Sequence, residues 1–349
     1  MNVDLTEVRR VILAALKTGP TAELQGLQSS DEGVVSFALE VQPGAAAAFE
    51  PRRRAIEAAV EALPGVRRVR AVLTSEGPAK PAAPEAVVAI ASAKGGVGKS
   101  TVAVNLAVAL SQLGLQVGLL DADVFGPSLP TMLGVRDARP EPLPDKRIAP
   151  VEAHGVQTLS VGYLVDPEEP MIWRGAMVAN AVRQLLEQGA WGRFGKPLDI
   201  LLLDQPPGTG DAHLTLAQRA PLAGAVIVST PQEVALADVR RGLAMFARTE
   251  TPVLGVIENM AYFDTGAGMR EYPFGQGGAR RTAEAFGAPF LGELPLLTRL
   301  RESCDAGTPL TAAEPDHPLS QQFRAMAQAM LNNLARSHRP LPTIRFADT

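Results

Sequence analysis

The chain has 349 residues, room for two domains, and its 46% hydrophobic and 20% charged residues form a globular balance that excludes wholesale disorder. Lys and Arg number 33 against 37 Asp and Glu, and the net charge of −4 excludes broad, salt-driven binding to nucleic acid across the surface. A single cysteine, Cys304, excludes an intrachain disulfide and a four-cysteine zinc or iron–sulfur site built from this chain.

Residues 1–76 read as a small α+β unit. Leu5, Val8, Ile12, Leu13 and Leu16 recur at helical spacing until Gly19-Pro20 stops the run. Val35, Phe37, Leu39 and Val41 alternate with Ser36, Ala38, Glu40 and Gln42, the pattern of a half-buried strand. Pro51 suits the first position of a helix continued by Ile56, Val60 and Leu63, and residues 66–74 predict a second strand. Residues 77–86 are a semi-rigid Pro/Ala linker.

From residue 87 to 336 strands alternate with helices. The predicted strands are 87–92, 117–121, 156–161, 199–204, 225–230, 253–258 and 290–294. Most are unbroken apolar runs such as Ile200-Leu201-Leu202-Leu203, which fit strands covered on both faces. The expected fold class is α/β, a mostly parallel sheet between helix layers. The Pro-rich stretch 139–150 reads as a surface excursion, 319–335 as a closing helix and 337–349 as a tail.

The strand at 87–92 runs into Ala93-Lys94-Gly95-Gly96-Val97-Gly98-Lys99-Ser100-Thr101, and a helix follows. The phosphate-loop pattern G-x-x-x-x-G-K-[ST] wants glycine where Ala93 stands. Gly95, Gly96 and Gly98 still let successive N–H groups curl toward phosphate oxygens, and the helix start adds its positive end. Lys99 is placed for the β- and γ-phosphates of a nucleotide such as ATP, and Ser100 for Mg2+. Two of the chain's six lysines, Lys94 and Lys99, lie in this loop.

Asp121, Asp123 and Asp204 follow or end two later strands, on the edge where open α/β sheets bind ligands. Carboxylates there suit Mg2+ and its waters. Asp204 has the Walker B position. Residues 205–211 and 125–128 read as loops that move with a γ-phosphate, to which Gly208 can offer an N–H.

K-G-G-V-G-K-S-T resembles the deviant Walker A of the ATPase class that includes MinD, ParA and the nitrogenase iron protein. The resemblance implies a P-loop NTPase fold and a homodimer closing on two ATP molecules, with Lys94 reaching across to the partner's nucleotide. It also implies that Asp123 orients the attacking water and that Asp121 sits near the metal.

D-A-D-V-F-G-P-S, I-W-R-G-A-M-V, D-Q-P-P-G-T-G-D, S-T-P-Q-E-V-A-L-A-D, I-E-N-M-A-Y-F and F-G-Q-G-G-A-R-R stand in the order of the Mrp/ApbC family. That family, resembled over residues 86–336, is described as iron–sulfur cluster carriers. The resemblance implies that Asn259 contacts adenine, with Pro231 and Gln232 nearby, and a side-chain amide can meet a purine edge in that way. Residues 1–76 look like the small iron–sulfur-assembly-type domain that bacterial members carry.

The sequence departs from the family after Tyr262-Phe263. Cluster-carrying members show C-x-x-C there, where two such pairs from two subunits bridge a [4Fe–4S] cluster, and this chain has Thr265 and Gly268 at the two positions. The cluster that the family implies has no identified ligands.

The expected function is a slow, homodimeric ATPase of the iron–sulfur carrier and assembly family, with an iron–sulfur client or assembly protein as partner. The alternative is a MinD/ParA-like switch in which ATP governs partner binding and no cluster is carried. A non-catalytic scaffold fits poorly with Lys94, Asp123 and Asp204. Nucleic acid and membrane are not expected as partners: the closing helix has Arg324 and Arg336 but no lysine, unlike a basic membrane anchor. With no signal pattern at its start, the chain is expected to be cytoplasmic.

Overall fold

The computed structural model describes residues 3–16, 22–30, 33–41, 45–74, 83–123, 126–143, 147–163, 175–192, 196–208, 221–265 and 269–337. Residues 77–82 of the linker expected at 77–86, residues 338–349 of the tail expected at 337–349, and Phe125, Ile172, Trp173, Arg174, Thr209, Gly210, Asp211 and Gly268 lie outside the described residues. The chain divides into two compact units, Met1–Lys80 with Arg193–Lys196, and Pro81–Gly192 with Pro197–Thr349.

The first unit runs α1 (Leu5–Leu16), β1 (Ala22–Ser29), β2 (Val34–Val41), α2 (Ala46–Glu61) and β3 (Arg68–Thr74). Its sheet has the order β1-β2-β3, antiparallel then parallel. Val35, Phe37, Leu39 and Val41 of β2 face a core shared with Val8, Ile12, Phe49, Ile56 and Val60. Strand β1 escaped the sequence reading because AELQGLQS lacks an apolar alternation; it is an edge strand with no buried residue. Pro51 does not open α2 as expected. The helix starts at Ala46, and Pro51 lies inside it. Burial of Phe49, 1% exposed, draws the preceding turn into the helix and outweighs the hydrogen bond that a proline cannot make.

The second unit begins with β4 (Val87–Ala91), α3 (Lys99–Gln112), β5 (Val117–Asp121), α4 (Leu129–Met132), β6 (Val151–Ala153) and β7 (Val156–Ser160). It continues with α5 (Gly175–Gln188), β8 (Ile200–Asp204), β9 (Gly224–Ser229), α6 (Glu233–Arg248), β10 (Val253–Glu258), β11 (Phe263–Asp264) and β12 (Arg270–Glu271). The closing elements are α7 (Gly278–Ala285), β13 (Phe290–Glu293), α8 (Thr298–Asp305), α9 (Leu310–Ala313) and α10 (Pro318–Arg336).

Eight strands form one sheet in the order β13-β10-β9-β4-β8-β5-β7-β6. All its pairs are parallel except β6 on β7. The unbroken apolar runs are the reason: β4, β5, β7, β8 and β9 are buried at every residue. Helices α3 and α10 cover one face through Val102, Leu106, Leu110, Phe323 and Met330. Helices α5 and α6 cover the other through Leu185, Leu236 and Phe246. This is the expected α/β class, a mostly parallel sheet between helix layers. Strand β6, only three residues long, is too short to leave a periodic signal. No helix among the described residues is long and apolar enough to cross a membrane.

Candidate nucleotide site

The loop between β4 and α3 turns at Gly96 and Gly98, whose φ angles are +79° and +81°. Both are left-handed values that favour glycine. At Gly98 a side chain is doubly excluded, because a Cβ would stand 2.2 Å from the Asn259 amide nitrogen. The first-turn N–H groups of α3 have no intrahelical acceptor and open onto the loop, a geometry suited to phosphate. Lys94, Gly95 and Gly96 are exposed, Ala93, Gly98, Ser100 and Thr101 are half-buried, and Val97 and Lys99 are buried.

The ammonium of Lys99 is 6% exposed and ion-paired to the fully buried Asp204. It also donates to Ser100 Oγ at 3.3 Å. Burial raises the Asp204 carboxyl above the usual carboxylate range, with the Lys99 charge working against that rise. The other oxygen, Asp204 Oδ2, is shut away with no hydrogen-bond partner among the described residues, and so is Asp123 Oδ1. The unpartnered Asp204 Oδ2, the Ser100 hydroxyl bonded by Lys99, and Asp123, close enough to Asp204 for its charge to act on it, are hard, oxygen-only donors. That set fits Mg2+.

Asp121, close enough to Asp204 and Lys99 for their charges to act on it, is held by three hydrogen bonds. Its Oδ1 accepts the Asp123 N–H at 3.1 Å, and its Oδ2 accepts the Leu129 N–H at 3.3 Å and the Ser160 hydroxyl at 3.0 Å. Asp121 therefore ties both ends of the 123–128 loop to the neighbouring strand β7. Burial, then the Asp204 charge, push its carboxyl up to about 7.

The loop after Asp204 is tied to the end of β4, just before the phosphate loop. Gln205 N donates to Ile90 O at 3.1 Å, and Gly208 N donates to Ser92 O at 2.9 Å. The Gly208 N–H is thus engaged within the protein. Asn259 is 4% exposed, and its side-chain amide donates to Val97 O at 2.8 Å, so it braces the phosphate loop from β10. Buried Pro231 and half-buried Gln232 lie at the start of α6, and the Pro231 carbonyl is within 2.5 Å of where a Gly278 Cβ would be.

Three supporting residues were missed in the sequence. Ser160 ends an apolar strand with no motif around it. Asn105, fully buried in α3, accepts Thr311 N at 3.0 Å and Thr311 Oγ1 at 2.8 Å, and donates to Thr101 O at 2.9 Å. Glu258, also fully buried, accepts Gly277 N at 3.2 Å and Ala279 N at 2.6 Å, which caps α7 beside Asn259. Only the polar residue in an otherwise apolar helix interior gave any signal, at Asn105.

The hairpin of β11 and β12 holds the position where the resemblance places a cysteine pair. Thr265 closes it, with N and Oγ1 both donating to Met269 O, at 3.1 and 3.0 Å. The guanidinium of Arg270 lies 3.9 Å from the centre of the Tyr262 ring. Cys304, on α8, is 2% exposed and receives a weak hydrogen bond from Asn105 Nδ2 at 3.7 Å.

Comparison with known proteins gives the chain a family. Residues 84–331 match the family described as ParA: NUBPL iron-transfer P-loop NTPase. An iron–sulfur cluster carrier protein of Synechocystis sp. is 44% identical, over 87% of this chain and 88% of that protein. The iron–sulfur cluster transfer protein NUBPL of Dictyostelium discoideum is 47% identical, over 71% of this chain and 76% of that one. Among solved structures, a nucleotide-binding protein from Archaeoglobus fulgidus in complex with ADP is 40% identical with a TM-score of 0.56, covering 64% of this chain and 86% of that one. The MinD cell division ATPase of Pyrococcus furiosus, 21% identical at a TM-score of 0.53 over 71% of this chain and 99% of that one, shares the fold. The chain belongs to the NUBPL-type family of P-loop NTPases, the family of the iron–sulfur cluster carrier proteins.

Proposed function

We propose that the chain binds ATP with Mg2+ on the 93–101 loop and hydrolyses it as a homodimer, in the service of iron–sulfur assembly. The observation that carries this reading is the Lys99–Asp204 pair with the orphaned Asp204 Oδ2 and Asp123 Oδ1 beside it. A buried ion pair is costly to desolvate, and this one is built to be exchanged. With nucleotide bound, Lys99 would meet the β- and γ-phosphates in place of Asp204, and Asp204 and Ser100 would hold the metal. Mg2+ held there would supply neutralisation of the phosphate charge. Asp123, held at the mouth of the site by Asp121, orients the attacking water.

The Gly208 N–H exchanges the Ser92 carbonyl for the γ-phosphate, which makes the 205–208 loop a sensor of that phosphate. Gln205 supports this motion: it is fully buried with neither amide atom paired among the described residues, a penalty of about 1–3 kcal/mol that a rearrangement can relieve. Exposed Lys94 is free to reach a second copy's nucleotide. The adenine is taken beside Asn259, Pro231 and Gln232. The partner is a client or assembly protein of the iron–sulfur pathway.

The test is phosphate release from ATP by the full chain and by Lys99→Ala. Release should be slow in the parent, within the roughly 10⁻⁴–10⁻² s⁻¹ of unassisted P-loop switches, and absent in the variant. Equal rates in the two would end the assignment.

A further inference from the structure

We infer that this chain does not itself ligate an iron–sulfur cluster, because the β11–β12 hairpin, where the resemblance places the ligands, has no cysteine and is closed by Thr265 on Met269 O. The inference rests on the family reading but not on hydrolysis, and it is measured separately from it.

The donor set comes first. A [4Fe–4S] cluster is usually held by four thiolates. Each chain has one cysteine, so two copies bring two thiols. Neither is at the hairpin: Cys304 lies on α8, 2% exposed, packed behind α3 and bonded to Asn105. Burial pushes its thiol above the ordinary value, and iron binds the thiolate. Among the described residues no group of three or more His, Cys, Asp and Glu is placed to hold a metal ion.

The hairpin itself comes second. Thr265 is a hard hydroxyl, a poor match for the soft ligands that clusters select. Its Oγ1 is already engaged: with the Thr265 N–H it donates to Met269 O, two bonds from one residue across the end of the hairpin. Below the turn, Arg270 is stacked on Tyr262 at 3.9 Å and ion-paired to Glu293 at 3.6 Å, and Tyr262 meets Tyr272 at a ring separation of 6.4 Å. These contacts order the hairpin with no metal crosslink. At the second position glycine offers no side chain at all. The consequence for the pathway is that any cluster in transit is held by the thiolates of another protein, while this chain contributes its nucleotide state.

The experiment is anaerobic reconstitution of the full chain with ferrous iron and sulfide, followed by desalting, iron analysis and visible absorbance. The parent should stay colourless with far less than one iron per chain. The double variant Thr265→Cys with Gly268→Cys should gain colour and about two irons per chain, four shared by two copies. Stoichiometric iron in the parent would overturn the inference, and its loss in Cys304→Ser would trace the error to that thiol. A double variant as colourless as the parent would overturn the assignment of the hairpin as the lost ligand site. ATP hydrolysis on the same samples reads the nucleotide function independently: its absence would end that proposal and leave this one standing.

Discussion

At the scale of single residues, the site depends on carboxylates whose neighbours set their tasks. Asp204 faces Lys99, and Asp121 spends both oxygens on the backbone of the 123–128 loop and on Ser160. Ser160 Oγ also accepts the Gly162 N–H at 2.9 Å, so the serine links the segment after β7 to the loop that aims Asp123. Ser160→Ala removes a bond to a buried carboxylate, a contact of about 1.5–3 kcal/mol. Its kcat should fall roughly tenfold or more, with ADP affinity near the parent's. Ser160→Thr, which keeps the hydroxyl, should recover most of the rate. A parental kcat in the alanine variant would remove Ser160 from the positioning of Asp123.

The raised Asp121 carboxyl also sets a pH dependence. Without nucleotide and metal, the folded chain keeps a proton up to about 7 that the unfolded chain releases near 3.8. Stability from this source is complete below the unfolded value and is lost as pH rises through about 7. The loss approaches ~1.4 kcal/mol per pH unit over which the two states differ by a proton. Denaturant midpoints at about pH 5 and about pH 8 should therefore differ more for the parent than for Asp121→Asn, which cannot ionise. Equal slopes would contradict a protonated Asp121 in the folded chain.

At the scale of elements, the phosphate loop is held from two sides. Asn259 at the end of β10 fills the space that a side chain at Gly98 would need. Gly98→Ala must move Asn259 and adopt a left-handed backbone at about 1–2 kcal/mol. Its nucleotide affinity, measured by calorimetry with ADP, should drop at least tenfold, roughly what 1.4 kcal/mol gives. An unchanged affinity would show that the loop tolerates the shift. Behind the loop, Asn105 fastens α3 to α9 through Thr311. Asn105→Ala leaves the Thr311 N–H and hydroxyl buried without their acceptor, and denaturant unfolding should show a loss of about 1–3 kcal/mol.

The same elements show why some of the structure was legible in the sequence. The parallel strands were visible because burial on both faces demands unbroken apolar runs. The phosphate loop and the acids at strand ends were visible because glycine, lysine and aspartate in that order serve few other purposes. Ser160 and Glu258 were not visible, since a lone serine or glutamate after a strand is ordinary until its neighbour across the sheet or helix is known.

At the scale of the whole molecule, the exposed Lys94 is the informative residue, because its ammonium has no side-chain partner among the described residues. A group delivered in trans to transition-state charge can be worth ~10³–10⁵ in rate. Lys94→Ala and Asp123→Ala should each be inactive and still bind nucleotide. Mixed, they should form heterodimers in which one site carries both defects and the other neither, and hydrolysis should return. No recovery on mixing would count against action across the dimer.

The sequence by itself determined the long apolar strands of the second unit, the class of sheet, the glycine- and lysine-bearing loop after β4 and the absence of a cysteine pair, because each of these is written in local composition and spacing. Tertiary structure alone decided which carboxylate pairs with Lys99, that Asp121 serves the 123–128 loop, that Asn259 props Gly98 and that the Thr265 hydroxyl closes a turn. Those outcomes depend on contacts between residues far apart in the chain, or on which way a side chain turns, and periodicity carries no record of either. Pro51 makes the same point: its local preference for a helix start gave way to the burial of Phe49 in a core that the whole unit builds.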